Sequence, residues 1–245
     1  MLQQTQVERV IPLYKKFIKE FPTVKKLAQA PLSEVLKSWQ GLGYNRRAKL
    51  LRGAAQHLVS TPSFRTRFNL VTELEKLPGV GPYTARAIAA FVWNQDVIVI
   101  ETNIRTAIIH HFFARQTVQH RVSDKEIEKI LLQVLPKGKA PLRQSSAGQA
   151  REWYSALMDY GAYLKKSGIK LNAKHANYTK QKKFVGSSRE ARGAILRELA
   201  SSSYTQTHLL NLLGPTRHSQ LCIAIIALQS EGLIQKKKGV FSLAN

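Results

Sequence analysis

Apolar residues recur at helical spacing along most of the chain and switch to strand spacing only near its end. Val7, Val10, Ile11, Leu13, Tyr14, Phe17, Ile18 and Phe21 predict a helix over 6–21. That helix is expected to reach back through Met1, with no Ser, Thr, Asp or Asn before it to act as a cap. Residues 24–30 and 32–39 read as two short helices, the second starting near Ser33 after Pro31. Gly41-Leu42-Gly43-Tyr44 is a tight loop, and a helix follows that continues over 50–59 until Thr61-Pro62-Ser63 breaks it. Residues 83–91 and 104–113 read as helices, and Ser123 with Glu126 forms a capping box ahead of Ile127, Ile130, Leu131 and Val134. Residues 136–148, rich in Lys, Gly, Ser and Pro, read as a flexible loop, and Trp153, Leu157 and Met158 mark the next helix. Beyond it Ser188 is expected to cap a helix over 189–199, Thr205 or Thr207 to start a short one, and 218–230 to form a third. Residues 232–243 alternate as a two-strand hairpin around 236–239.

The fold class is therefore mainly α, and 245 residues suffice for one large or two small domains. Charge changes the picture more than length does. Lys and Arg number 38 against 15 Asp and Glu, a formal net charge of +23, which points to a polyanion. Nucleic acid is the first candidate and an anionic membrane surface the second. No apolar run approaches the roughly 18 residues of a membrane span, so no membrane partner is expected. The start does not read as a signal peptide, and the single cysteine, Cys222, excludes an intrachain disulfide framework. A soluble cytoplasmic protein is expected, associated with the nucleoid if the source is prokaryotic. His110 and His111 have no companions for a metal site, so no metal is expected.

The richest stretch runs from Leu74 to Arg105. Its Leu-Pro-Gly-Val-Gly turn places Gly79 and Gly81 where the backbone can take angles closed to other residues, and Pro82 suits a first helical position. A turn running into a helix start aims free N–H groups outward, where the helix dipole also favours an anion. Gly79, Val80 and Gly81 are thus the candidate phosphate clamp. An apolar run, 97–100, then delivers Glu101, a lone carboxylate flanked by Thr102 and Asn103.

These residues resemble the helix-hairpin-helix base-excision DNA glycosylase superfamily: LPGVGPYTARAIAAF is similar to its hairpin, and ETNIR to the segment bearing its catalytic aspartate. MLQQTQVERVIPLYKKFIKEFPTV, WQGLGYNRRAKLL and ALMDYGA resemble the adenine-glycosylase (MutY-type) branch, in the same order over about 165 residues. The resemblance implies two helical lobes with a lesion between them and a flipped base, usually adenine opposite 8-oxoguanine. It implies that Glu101, in place of the aspartate, stabilises positive charge on the sugar, with Asn103 orienting it. Tyr83 stands where lyase members carry a nucleophilic lysine, which implies hydrolysis without strand nicking. Tyrosine there also occurs in thymine-mismatch glycosylases, so a thymine or uracil mismatch substrate stays open. So does a lesion-binding protein of the same fold. The branch's general-acid glutamate falls two residues ahead of Met1. Gln3 and Gln4 match positions that enter the duplex, and Tyr44 a wedging ring, although Asn45 replaces a second tyrosine. Arg46, Arg47, Lys49 and Arg52 read as phosphate-facing or as a solvated face.

The same branch continues with four cysteines holding an iron–sulfur cluster. Lys165 occupies the first position and the rest are absent, so no cofactor is expected. Lys165 and Lys166 open a run of seven lysines without an acid, read as a phosphate-lining loop or a basic linker. The expected division is a glycosylase domain over 1–164, a basic linker over 165–187 and a winged-helix-like domain over 188–245. The third helix of that domain, apolar through Ile223, Ala224, Ile226, Ala227 and Leu228, suits packing or auxiliary DNA contact more than base reading. The expected partner is double-stranded DNA with a mismatch or an oxidised base, bound by a monomer.

Overall fold

The computed structural model describes residues 1–3, 5–61, 70–115, 121–135, 149–169, 171–176, 178 and 183–245. The fold is mainly α, as expected, and it divides into two compact units that do not follow chain order. One comprises Met1–Arg67, Leu77–Gly79 and Gln181–Asn245; the other comprises Phe68–Lys76 and Val80–Lys180.

The first unit holds α1 (Val7–Glu20), α2 (Val24–Gln29), α3 (Leu32–Ser38) and α4 (Arg46–Ser60). It also holds α10 (Ser188–Ser201), α11 (Gln206–Leu210) and α12 (His218–Ser230), with β1 (Tyr204–Thr205), β2 (Ile234–Lys237) and β3 (Val240–Leu243). One core serves both ends of the chain. Phe17, Leu36 and Trp39 lie in the same buried cluster as Ile195, Leu196, Leu221, Leu228 and Phe241. Each such side chain contributes about 1.5–3 kcal/mol by leaving water. Polar ties reinforce the join: Lys49 Nζ donates to the Glu231 carbonyl (2.5 Å) and Gln40 Nε2 to the Leu196 carbonyl (3.3 Å). The expected boundary at 188 is therefore corrected: residues 188–245 pack as part of the first unit, because α10 and β3 pack against α3 and α12 packs against α10, in one shared core.

Local departures have local causes. The first helix starts at Val7, after Gln6 in extended backbone, and does not reach Met1. Ser187, not Ser188, caps α10 by accepting from the Glu190 N–H, and α3 starts at Leu32 behind Pro31. The hairpin turn is Lys238-Gly239, both at positive φ (46° and 82°), the requirement of a type I′ turn. The two-residue β1, too short to show in the sequence pattern, completes an antiparallel sheet of order β1-β3-β2. Only part of the α12 apolar set is buried. Leu221, Ala224, Ile225 and Leu228 face the core, whereas Ile223 and Ile226 are exposed.

The second unit holds α5 (Leu70–Glu75), α6 (Pro82–Trp93), α7 (Thr102–Phe112), α8 (Asp124–Val134) and α9 (Gln149–Lys166). The Ser123–Glu126 capping box forms as expected. Ile104, Ile108, Ile109, Ile127, Leu131 and Tyr154 make its core. The Tyr154 hydroxyl accepts from the Val99 N–H (3.1 Å) and donates to the Val97 carbonyl (2.9 Å), which fixes the extended segment leading to Glu101. Burial pushes its phenol above the usual range. Among the described residues no helix is long and apolar enough to cross a membrane.

Candidate nucleic-acid interface

Glu101 is the N-cap of α7. Its Oε1 accepts from the Asn103 N–H (2.6 Å) and the Ile104 N–H (3.0 Å). Two orphan amides at a positive helix end hold the carboxylate in one place. Among the described residues its second oxygen, Oε2, takes no hydrogen bond. The longer glutamate side chain is accommodated by folding back onto its own helix start. Tyr83, at the start of α6, stands near it. Burial and the Glu101 charge both push the Tyr83 phenol up, and the Arg105 guanidinium opposes them. Tyr83 brings a hydroxyl and no amine.

Asn103 connects this carboxylate to α9. Its Oδ1 accepts from Lys165 Nζ (2.5 Å), and its backbone carbonyl lies directly against Gly161. Lys165 therefore departs from the expected phosphate-lining role: it turns inward, partly buried, as a ligand of Asn103. Burial holds its ammonium below the usual lysine range, while the nearby Glu101 charge pulls it back up. Lys166 is exposed. Further along the run, Lys174 Nζ donates to the Ala114 carbonyl (3.2 Å), and Lys170, Lys180 and Lys182 lie outside the described residues. On the next turn of α7, Arg105 makes a two-point ion pair with Asp124 (2.7 and 3.0 Å), and buried His175 adds a third contact to the same carboxylate (3.1 Å). The sequence carried no local sign of this group, whose members are 19 and 51 residues apart.

The glycine turn divides its two glycines by role. Gly79 takes φ +77°, and a Cβ there would lie 2.7 Å from the Leu50 Cβ, so both conformation and space demand glycine. Gly81 has φ −89° and ψ 177°, angles any residue adopts, with open space where a Cβ would be. The expected special backbone at Gly81 is not found. Residues 78 and 79 form a turn that runs directly into the start of α6 at Pro82, where the helix dipole favours an anion.

In the first unit, Arg47 departs from its expected phosphate contact. Its guanidinium is committed inward, donating to the carbonyls of Met1, Gln3, Leu42 and Gly43 and to Thr5 Oγ1, at 2.8–3.4 Å. Burial lowers its pKa from the usual arginine value. Lys49 and Arg52 likewise donate to carbonyls, of Glu231 and Ala30. Arg46 is exposed. The arginine that fastens the Gln3 and Gly43 carbonyls thus builds the surface on which Gln3 and Tyr44 sit. Gln4 lies outside the described residues. Tyr44 is 38% exposed in a left-handed backbone (φ 48°), with the guanidinium carbons of Arg47 and Arg189 at 5.5 and 5.9 Å from its ring centre. Arg189, from the start of α10, was not among the expected site residues.

A family model described as "HhH-GPD superfamily base excision DNA repair protein" matches residues 1–137. The chain belongs to this superfamily. An adenine DNA glycosylase of Buchnera aphidicola subsp. Baizongia pistaciae is 36% identical over 165 residues, covering 67% of this chain and 43% of that protein. One from Mycolicibacterium smegmatis is 29% identical over 262 residues, covering 100% of this chain and 85% of that protein. The chain thus spans less than half of the first relative and most of the second. Among solved structures, a thermostable thymine-DNA glycosylase superposes with a TM-score of 0.51 at 23% identity, covering 66% of this chain and 69% of that one. That likeness supports the helix-hairpin-helix glycosylase fold.

Proposed function

We propose that the chain is a monofunctional DNA glycosylase that excises a mispaired base from duplex DNA, adenine opposite 8-oxoguanine or guanine. The observation that carries this is the fixed carboxylate of Glu101: it is held by two amides at the start of α7 beside Tyr83, a residue with no amine to attack the sugar. As the N-glycosidic bond stretches, C1′ of the sugar becomes positive, and a fixed anion stabilises that charge without reorganising. The C1′–N bond breaks as water adds its oxygen to C1′ and gives up one proton, the departing purine gains one proton, and an abasic site remains. The turn over 79–81 at the start of α6 and the excess of positive charge supply phosphate binding. The resemblance to adenine glycosylases selects the substrate. The reading needs no cofactor, since the chain's one cysteine, Cys222, cannot supply the thiolates of a cluster. It describes a monomer acting wherever the cell keeps its DNA, on mismatched or oxidised pairs.

A single-turnover assay tests it on duplexes holding adenine opposite 8-oxoguanine, adenine opposite guanine, and thymine or uracil opposite guanine. The expected result is cleavage of the adenine strand only after alkali. Tight binding without product would favour a lesion-binding protein, product from the thymine or uracil duplexes alone would reassign the substrate, and nicking without alkali would overturn the monofunctional assignment.

A further inference from the structure

Three non-glycine residues with left-handed backbone are found among the described residues, and two have a local explanation: Asn94 ends α6, and Lys238 turns the hairpin. Tyr44 stands just before α4, its carbonyl accepting from the Arg47 N–H (2.9 Å), and carries the bulkiest side chain of the three. A bulky aromatic residue at φ 48° is disfavoured by its own Cβ and persists only where its surroundings over-determine it. Two neighbours do this. Arg47 holds the Gly43 carbonyl just before it (3.2 Å) and lies over the ring. Arg189 reaches the ring from residues 145 positions away in sequence, with its guanidinium facing the ring and NH1 donating to the phenol oxygen (3.3 Å). A cation near the ring that also donates to its hydroxyl suits the multi-donor guanidinium.

Arg189 is itself held in place. It sits in the first turn of α10, where Ser187 caps the Glu190 N–H and the Glu190 carboxylate accepts from the Gly186 N–H (2.8 Å). The same carboxylate is clasped by Arg217 (2.6 Å), which donates in turn to Gln220. The start of α10 is thus fixed from the C-terminal part of the first unit, and its side chain at 189 spans to the loop at 44. We propose that Arg189 is a positioning residue for Tyr44: it holds the ring outward, in the posture that enters the base stack beside a displaced nucleotide. The C-terminal residues thereby become part of the lesion-binding surface. This rests on the reading of the chain as a glycosylase that displaces a base.

The test needs no turnover. Wild type, Arg189→Ala, Arg189→Lys, Tyr44→Ala and the Ala/Ala double variant are titrated against a duplex holding a tetrahydrofuran abasic analogue with 2-aminopurine beside it. An intact duplex serves as reference. Wild type is expected to prefer the abasic duplex and to brighten 2-aminopurine by unstacking it. Arg189→Ala is expected to lose about tenfold of that preference, with brightening reduced to the level of Tyr44→Ala. Arg189→Lys, which keeps the charge but not the planar, multi-donor head, is expected to follow Arg189→Ala, and the double variant to be no worse than Tyr44→Ala. Equal melting temperatures of Arg189→Lys and wild type separate positioning from folding. Brightening unchanged in both Arg189 variants, or losses that add in the double variant, would overturn the proposal while leaving the glycosylase reading intact. A wild type with no abasic preference would remove both.

Discussion

The Asn103 carbonyl occupies the space where a side chain on Gly161 would begin. This contact lets α9 lie close against α7, two residues from the Glu101 carboxylate. It explains the glycine of the ALMDYGA segment, which sits inside a helix where alanine would otherwise be favoured by about 1 kcal/mol. Gly161→Ala is expected to destabilise instead, by roughly 2–3 kcal/mol, because the carbonyl is backbone and cannot swing aside. Denaturant unfolding checks it: a lower midpoint at unchanged slope is expected, and a raised midpoint would show that the contact is loose.

The two glycines of the 79–81 turn separate folding from binding. Gly79→Ala meets both a positive φ and the Leu50 side chain, so a loss of roughly 2 kcal/mol or more is expected. Gly81→Ala meets open space at ordinary angles, so stability is expected to stay level or rise slightly. If the turn approaches a phosphate, that same methyl weakens duplex binding. Melting curves and duplex titrations on both variants decide it.

The Arg105–Asp124–His175 group gives a pH dependence whose sign follows from one carboxylate. The Arg105 hydrogen bond leads in holding Asp124 below the usual carboxylate range, partial burial opposes it, and His175 adds to the lowering. A folded-state pKa below the unfolded value means stability that is fully present above the ordinary carboxylate range. That stability is lost as pH falls through the folded value. Asp124 is 41% exposed, so solvent screening limits the pair to about 1 kcal/mol. Asp124→Asn is therefore expected to cost about that much at pH 7 and less near pH 2. Stability curves at the two pH values test it, and an equal cost at both would assign the effect to packing.

Lys165 runs the other way. Burial leads in lowering its pKa, so the unfolded chain binds the proton more readily, and stability rises with pH just below the ordinary lysine range. Lys165→Met is expected to lose that rise. Parallel stability-versus-pH curves for the two proteins would contradict it.

What could be read in advance was what the chain encodes locally. The helix periods, the Ser123–Glu126 cap, the glycine turn and the carboxylate opening α7 all depend on residues within a few positions of one another. The directions of long cations could not be read that way. Arg47 and Lys165 look like phosphate ligands in a basic sequence, yet partly buried carbonyl oxygens of Met1 and Leu42, and of the Asn103 side chain, claim them first. The composition change at 188 resembles a domain boundary, but α10 and β3 pack against α3 from the first 60 residues and share its core. Arg189 was missed for the same reason, since its partner Tyr44 is near it only in the fold.

In the proposed reaction the charge of Glu101, not merely its capping hydrogen bonds, drives the chemistry. Glu101→Gln keeps an oxygen to accept from the Asn103 and Ile104 N–H groups and removes the charge. Single-turnover excision of adenine opposite 8-oxoguanine is the direct measurement, with melting temperature and duplex affinity recorded alongside. The expected result is a folded, DNA-binding variant whose excision rate falls by at least about a hundredfold. A rate within tenfold of wild type would contradict the account.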